Sequence, residues 1–146
     1  MNSSKQNLKI TKLINRKHWT KKNFENELNK LDISSEEKFL IIDKLVKGHI
    51  IDDKKWAILY IEKKNSSIKS NRLLKKELLQ HGIQNELIEN LLIEREDSEA
   101  CMRAIKYKRK KINSKTNDDE EKKLYNFLIS KGFTYNLAYK ILDNSI

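Results

Sequence analysis

Apolar residues return along this chain at intervals of fifty. Phe24, Leu74 and Leu124 fall in register, as do Leu28, Leu78 and Leu128; Ile33, Ile83 and Phe133; Ile41, Leu91 and Ile141; and Ile42, Leu92 and Leu142. The segment Leu78-Leu79-Gln80-His81-Gly82-Ile83 thus has counterparts at 28–33 and 128–133. A period of this length marks a stacked repeat whose units bury their apolar faces together. Within each unit the spacing is helical. In the first, residues 1–7 are polar and expected to lack order, and a helix is expected from about Leu8 towards His18. Thr20 caps a second helix with Phe24, Leu28 and Leu31 on one face, and Ser34 and Glu37 read as a capping box for a third. That third helix is expected to turn Phe39, Leu40, Ile42 and Leu45 inward and to end on a left-handed Gly48.

The second unit opens at Asp52-Asp53, read as helix-capping carboxylates, with Trp56, Ala57 and Tyr60 as the buried stripe. A linker at Asn65-Ser66-Ser67 precedes a helix capped by Ser70, which carries Leu74 and Leu78 and stops at Gly82; Leu87, Ile88, Leu91 and Leu92 follow. In the third unit Ala104 and Tyr107 repeat the Ala57 and Tyr60 spacing. A linker around Asn113 to Asn117 leads to a helix capped by Asp118 and Glu121, and Thr134 caps the last one. The expectation is a single all-α domain over 1–146: an elongated, curved array of three tandem three-helix repeats, at about 8–48, 51–93 and 97–144.

Composition supports helices: proline is absent and there are three glycines, too little punctuation for strands and hairpins. No wholly apolar run, Phe39 to Ile42 among them, comes near the ~20 residues that cross a bilayer. Neither a signal peptide nor a pair of cysteines is present, since Cys101 stands alone, so a cytoplasmic protein without membrane association is expected. Net charge is +10, and it is unevenly spread. Lys5 to Lys22 holds seven basic residues, Lys63 to Lys76 six and Arg103 to Lys115 seven, none with an acidic residue among them, while carboxylates gather between Glu86 and Glu99. One acid-free cluster per repeat suggests a basic track for an anionic partner.

Catalytic chemistry is not signalled. Gly48, Gly82 and Gly132 cannot make a Walker or Rossmann loop, and His18, His49 and His81 have no partners at metal-ligand spacing. No catalytic residue, cofactor, metal or small-molecule substrate is therefore expected. Trp19, Trp56 and Tyr60 are residues that can stack on bases, but Trp56 and Tyr60 lie in phase with Ala57 and Ile61 and read as core.

The stretch Ile51-Asp52-Asp53-Lys54-Lys55-Trp56-Ala57-Ile58-Leu59-Tyr60-Ile61 resembles a characteristic helix of the RecX regulatory proteins. Glu77-Leu78 with Gly82-Ile83, and Phe127-Leu128-Ile129-Ser130-Lys131-Gly132-Phe133, resemble two further motifs of that family in the same order. Lys131 stands where the family has arginine, and Asn65-Ser66-Ser67 where it has a glycine-rich link. The resemblance implies a non-enzymatic protein that binds the RecA recombinase filament, in its helical groove and close to the bound strand. Such binding restrains filament growth, ATP hydrolysis, strand exchange and co-protease action. The residues expected on the binding face are Lys63, Lys64, Arg72, Lys75 and Lys76 in the middle repeat and Arg103, Lys106, Lys108, Arg109 and Lys110 in the third. Read without the resemblance, the same residues suit an autonomous module holding single- or double-stranded DNA by its phosphates.

Overall fold

The computed structural model describes residues 4–112 and 116–144, and among these the secondary structure is helical, with no strand. The helices are α1 Ser4–Arg16, α2 Lys21–Leu28, α3 Ser35–Lys47, α4 Asp53–Glu62, α5 Asn71–Gln80, α6 Asn85–Leu92, α7 Asp97–Arg109, α8 Asn117–Ser130 and α9 Tyr135–Asn144, with a 3-10 turn Lys64–Ile68 between α4 and α5. The all-α array of tandem three-helix repeats expected from the sequence is the architecture found.

Each repeat has its own core. Ile10, Trp19, Phe24, Leu28, Ile42, Leu45 and Ile51 form the first; Ala57, Leu74, Leu78, Ile83, Ile88 and Leu92 the second; Ala100, Cys101, Ala104, Ile105, Leu124, Leu128, Phe133, Ala138 and Leu142 the third. The fifty-residue register is the register of these cores. Its first, second and fifth triplets are buried throughout, and the triplet Ile41, Leu91 and Ile141 packs half-buried beside them. Ile68 leaves the middle repeat to join the third core, so the 3-10 turn ties the two units together.

One set of contacts stacks the repeats, and it is used twice. The N-terminus of a unit's second helix receives the next unit. Asp53 Oδ1 accepts from the Lys21 amide at 2.8 Å, and Asp97 Oδ1 accepts from the Asn71 amide at 2.8 Å, so each carboxylate satisfies an orphan donor of the preceding repeat. Lys22 Nζ donates to the Gln80 carbonyl at 3.4 Å and Arg72 Nη2 to the Gly132 carbonyl at 3.3 Å. Gly82 and Gly132 adopt φ of 88° and 89°. A Cβ on Gly82 would lie 2.3 Å from Lys22 Cβ, and one on Gly132 2.3 Å from Ser70 Oγ and 2.8 Å from Leu73 Cβ. These glycines therefore end a helix and also admit the neighbouring repeat's side chains, Lys22 at Gly82 and Ser70 and Leu73 at Gly132.

Several expectations need correction. The first helix begins at Ser4 rather than near Leu8 and ends at Arg16: Lys5 and Gln6 are good helix formers, and the turn need bury only Ile10. Phe39 and Leu40 are 67% and 60% exposed, because the inward stripe of α3 runs through Ile42 and Leu45, which places both on the outer face. Gly48 has φ −84°, and His49 takes the left-handed conformation at φ 59°. Only Asp52 caps its own helix, accepting from the Lys55 amide at 3.1 Å, while Asp53 is spent on the preceding repeat. Thr116, not Asp118 or Glu121, caps α8, accepting from the Asp119 amide at 3.1 Å. Part of the expected linker, residues 113–115, lies outside the described residues. The caps at Thr20, Ser34, Ser70 and Thr134 are as expected.

Candidate functional site

Arg103, Lys106 and Tyr107 on α7 and Lys110 at its C-cap, which keeps a helical backbone, stand at i, i+3, i+4 and i+7, so helical geometry alone places them on one face. That face meets the 3-10 turn of the middle repeat. Arg103 Nε donates to the Ser67 carbonyl at 2.9 Å, which fixes α7 against the turn. Between them runs a groove of about 700 Å³ lined by Lys64, Asn65, Ser67, Ile68, Arg103, Lys106, Tyr107, Lys110 and Lys111. Five cations line it and no carboxylate does. Among the described residues Lys64, Lys106, Lys110 and Lys111 have no ion-pair partner.

Tyr107 is the one aromatic side chain of the groove and is 37% exposed. Lys111 Nζ sits 4.7 Å from its ring centroid. The hydroxyl is held below the usual tyrosine range, first by the hydrogen bond from Lys111 and then by that ammonium's charge, with Lys131 and Lys108 adding to it. The ring also stacks on Phe127 at 6.0 Å, and Lys108 and Lys131 lie over the Phe127 ring at 5.2 and 5.4 Å. A row of solvated cations around one accessible ring can hold phosphates and offer a stacking surface.

The equivalent position of the middle repeat is differently wired. Trp56 and Tyr60 stack at 5.2 Å, and His81 tilts against both at 4.6 and 5.7 Å. The Tyr60 hydroxyl donates to Glu77 Oε1 at 2.9 Å, and its pKa is pushed up to about 12, chiefly by burial and then by that carboxylate. Lys69 Nζ pairs with Glu77 at 2.9 Å. Burial lowers the His81 pKa, with Lys17 the next cause and Lys63 and Lys22 smaller ones, while Glu77 opposes them. Fifty residues on, Phe127 replaces Glu77 and Lys131 replaces His81, so the third repeat loses the carboxylate that neutralises the second.

Of the ten basic residues singled out by sequence, the groove unites Lys64, Arg103, Lys106 and Lys110. The remainder are dispersed. Lys63 lies 5.4 Å over Tyr60, Arg72 bonds the Gly132 carbonyl, Lys75 pairs with Glu89 at 3.3 Å, and Arg109 approaches Glu120 at 3.9 Å. Lys108 covers Phe127, and Lys76 is exposed on α5 without lining the groove. Sequence reasoning missed Lys111, and it took Tyr107 only as a repeat of the Tyr60 spacing, not as part of the binding face. Its position four residues after Arg103 and three before Lys110 was the available signal. Among the described residues no three His, Cys, Asp or Glu side chains converge as metal ligands, and no helix is long and apolar enough to cross a membrane.

The family model described as the third three-helix domain of RecX matches residues 95–142, which carry α7 and the groove's Arg103 to Lys111. The regulatory protein RecX of Clostridium botulinum strain Eklund 17B is 31% identical over 140 residues, and that of strain Alaska E43 is 30% identical over the same length. Each alignment takes in 92% of this chain but 66% of the relative, so the chain spans about two thirds of the length of these relatives. The crystal structure of RecX from Lactobacillus salivarius superposes with a TM-score of 0.68 at 25% identity, over 92% of this chain and 95% of that one. A second crystal structure, of a regulatory protein RecX, has a TM-score of 0.69 at 20% identity and shares the fold over 98% of this chain and 80% of its own.

Proposed function

The chain belongs to the RecX family, and on that premise we propose that it is a non-enzymatic regulator that binds the RecA recombinase filament and restrains its growth, ATP hydrolysis, strand exchange and co-protease action. The observation that carries the reading is the groove between the 3-10 turn and α7, where five cations meet with no carboxylate to neutralise them. A RecA–DNA filament presents an extended anionic partner, and a serial array of repeats can follow it. Inhibition of this kind requires occupancy, not a nucleophile or a metal. Co-sedimentation with RecA filaments assembled on single-stranded DNA tests it: the protein should pellet with the filament and stay in the supernatant with RecA alone. Absence from the filament pellet at stoichiometric excess would reject the reading.

Tyr107 favours direct contact of the groove with the bound strand, since an accessible ring among cations stacks on any base. This contact is read without RecA. Titration of labelled single- and double-stranded DNA over a salt series should show affinity falling with a slope of about −0.7 per phosphate contact on single strands. Strong binding to DNA with no effect on RecA would transfer the assignment to an autonomous DNA-binding module.

A further inference from the structure

The fifty-residue repeat supplies an internal control for a second surface, formed by the second and third helices of each unit. In the first repeat Glu25, Ser35 and Phe39 line a groove between α2 and α3. At the same positions of the middle repeat stand Lys75, Asn85 and Glu89, which close the surface: Lys75 Nζ pairs with Glu89 Oε1 at 3.3 Å and Asn85 Nδ2 donates to the same oxygen at 3.2 Å. In the third repeat these positions are Tyr125, Tyr135 and Tyr139. Three such different sets serve one backbone arrangement, so the fold does not require the tyrosines. Two of them are also left outside: Tyr135 is 62% and Tyr139 55% exposed, while Tyr125 packs half-buried against the third core and anchors the cluster. Exposed aromatic area of this kind costs solubility and marks a contact surface when it is clustered.

The surroundings specify the partner's charge. Tyr125 and Tyr135 stack at 4.7 Å with planes 15° apart, beside a groove of about 440 Å³ whose rim carries Asp118 and Glu121, with Lys122 as the one cation. Asp143 acts on Tyr125 together with Glu121. On a chain of net charge +10 this is an acidic, aromatic site. Stacked phenol rings present their negative faces and edges to a guanidinium or ammonium group, and carboxylates at the rim add attraction that salt weakens. We propose that the α8/α9 groove of Tyr125, Tyr135 and Tyr139 is a docking site for an arginine- or lysine-bearing segment of a partner protein, separate from the basic groove and independent of the RecA reading. The tyrosines supply the seat, and Asp118 and Glu121 select for cations against the repulsion of the rest of the surface.

Fluorescence anisotropy with a fluorescein-labelled peptide of alternating arginine and serine tests this on the full chain. The peptide should bind, an alternating glutamate and serine peptide should not, and raising the salt should weaken the complex. Converting the trio to the middle repeat's residues, Tyr125→Lys, Tyr135→Asn and Tyr139→Glu, tests the seat with side chains the backbone already carries elsewhere. It should leave the circular dichroism intact and weaken peptide binding about tenfold or more. Asp118→Ser with Glu121→Ser should weaken it several-fold while leaving both helices in place. Equal binding by the tyrosine variant, equal binding of the two peptides, or no binding would overturn the proposal. So would a dimer in sedimentation equilibrium that the tyrosine variant abolishes, since the occupant would then be a second copy of this chain.

Discussion

Gly82 and Gly132 are each asked for two things that no other residue supplies together: a left-handed φ and space for the preceding repeat. Gly82→Ala and Gly132→Ala should each cost about 2 kcal/mol or more in chemical denaturation, combining backbone strain with a displaced neighbour. Gly48→Ala, at φ −84°, should change stability by less than about 1 kcal/mol. Equal effects at all three would show that close approach is not what the two joints need. The first requirement was legible in the sequence, since a glycine after a helical stripe marks a stop. The second was not, because Lys22 and Ser70 lie far back in the chain. His81 carries a second residue-scale consequence. Its Nδ1 lies 2.9 Å from Asn23 Nδ2 and so accepts, which places the proton of the neutral ring on Nε2. Its pKa is lowered in the fold, first by burial and then by Lys17, so the unfolded chain binds the proton more readily. Stability from this group is complete above the unfolded value near 6.5 and is lost as pH falls from there through the lowered folded value. Urea midpoints should accordingly drop between pH 7 and pH 5 in the natural chain and drop less in His81→Gln. An identical pH profile for the two would contradict this assignment.

At the scale of elements, the instructive pair is Asp52 and Asp53. Neighbouring carboxylates at a helix start read as a double cap, yet only Asp52 serves α4, and Asp53 reaches the amide that opens α2. Asp97 repeats the contact for α5. Removing one acceptor leaves an amide at a helix N-terminus without its charged partner. Asp97→Ala should therefore cost about 1–2 kcal/mol and speed hydrogen exchange at Asn71 more than at amides of α8. Exchange unchanged at Asn71 would show that water replaces the carboxylate freely. Element existence was legible because each helix carries its own period and cap. The phase of α3 was not: four apolar residues in a row, Phe39 to Ile42, fit more than one face, and packing against α2 chose Ile42 and Leu45. The α7 face was half legible. Its cations were visible as a run, but which of them share a groove depends on the 3-10 turn, whose Arg103 to Ser67 bond no periodicity predicts.

For the whole molecule, the repeat that builds the fold also distributes its charge. Three copies of one helical plan diverge where side chains are not needed for the core. The middle copy pairs Tyr60, Glu77 and Lys69 among themselves, and the third exchanges Glu77 for Phe127 and leaves Lys106, Lys110 and Lys111 without counter-ions among the described residues. Charge on this scale cannot be read from any one motif, only from comparing the copies. If the basic groove carries the proposed regulatory effect, the DNA-dependent ATPase of RecA reports it most directly. The natural chain at stoichiometric excess should suppress ATP hydrolysis. The variant Lys64→Glu, Lys106→Glu, Lys110→Glu and Lys111→Glu should keep its helix content and thermal midpoint but lose about tenfold or more in inhibitory potency. Suppression by the folded variant equal to that of the natural chain, or no suppression by either, would contradict a regulatory role for the groove.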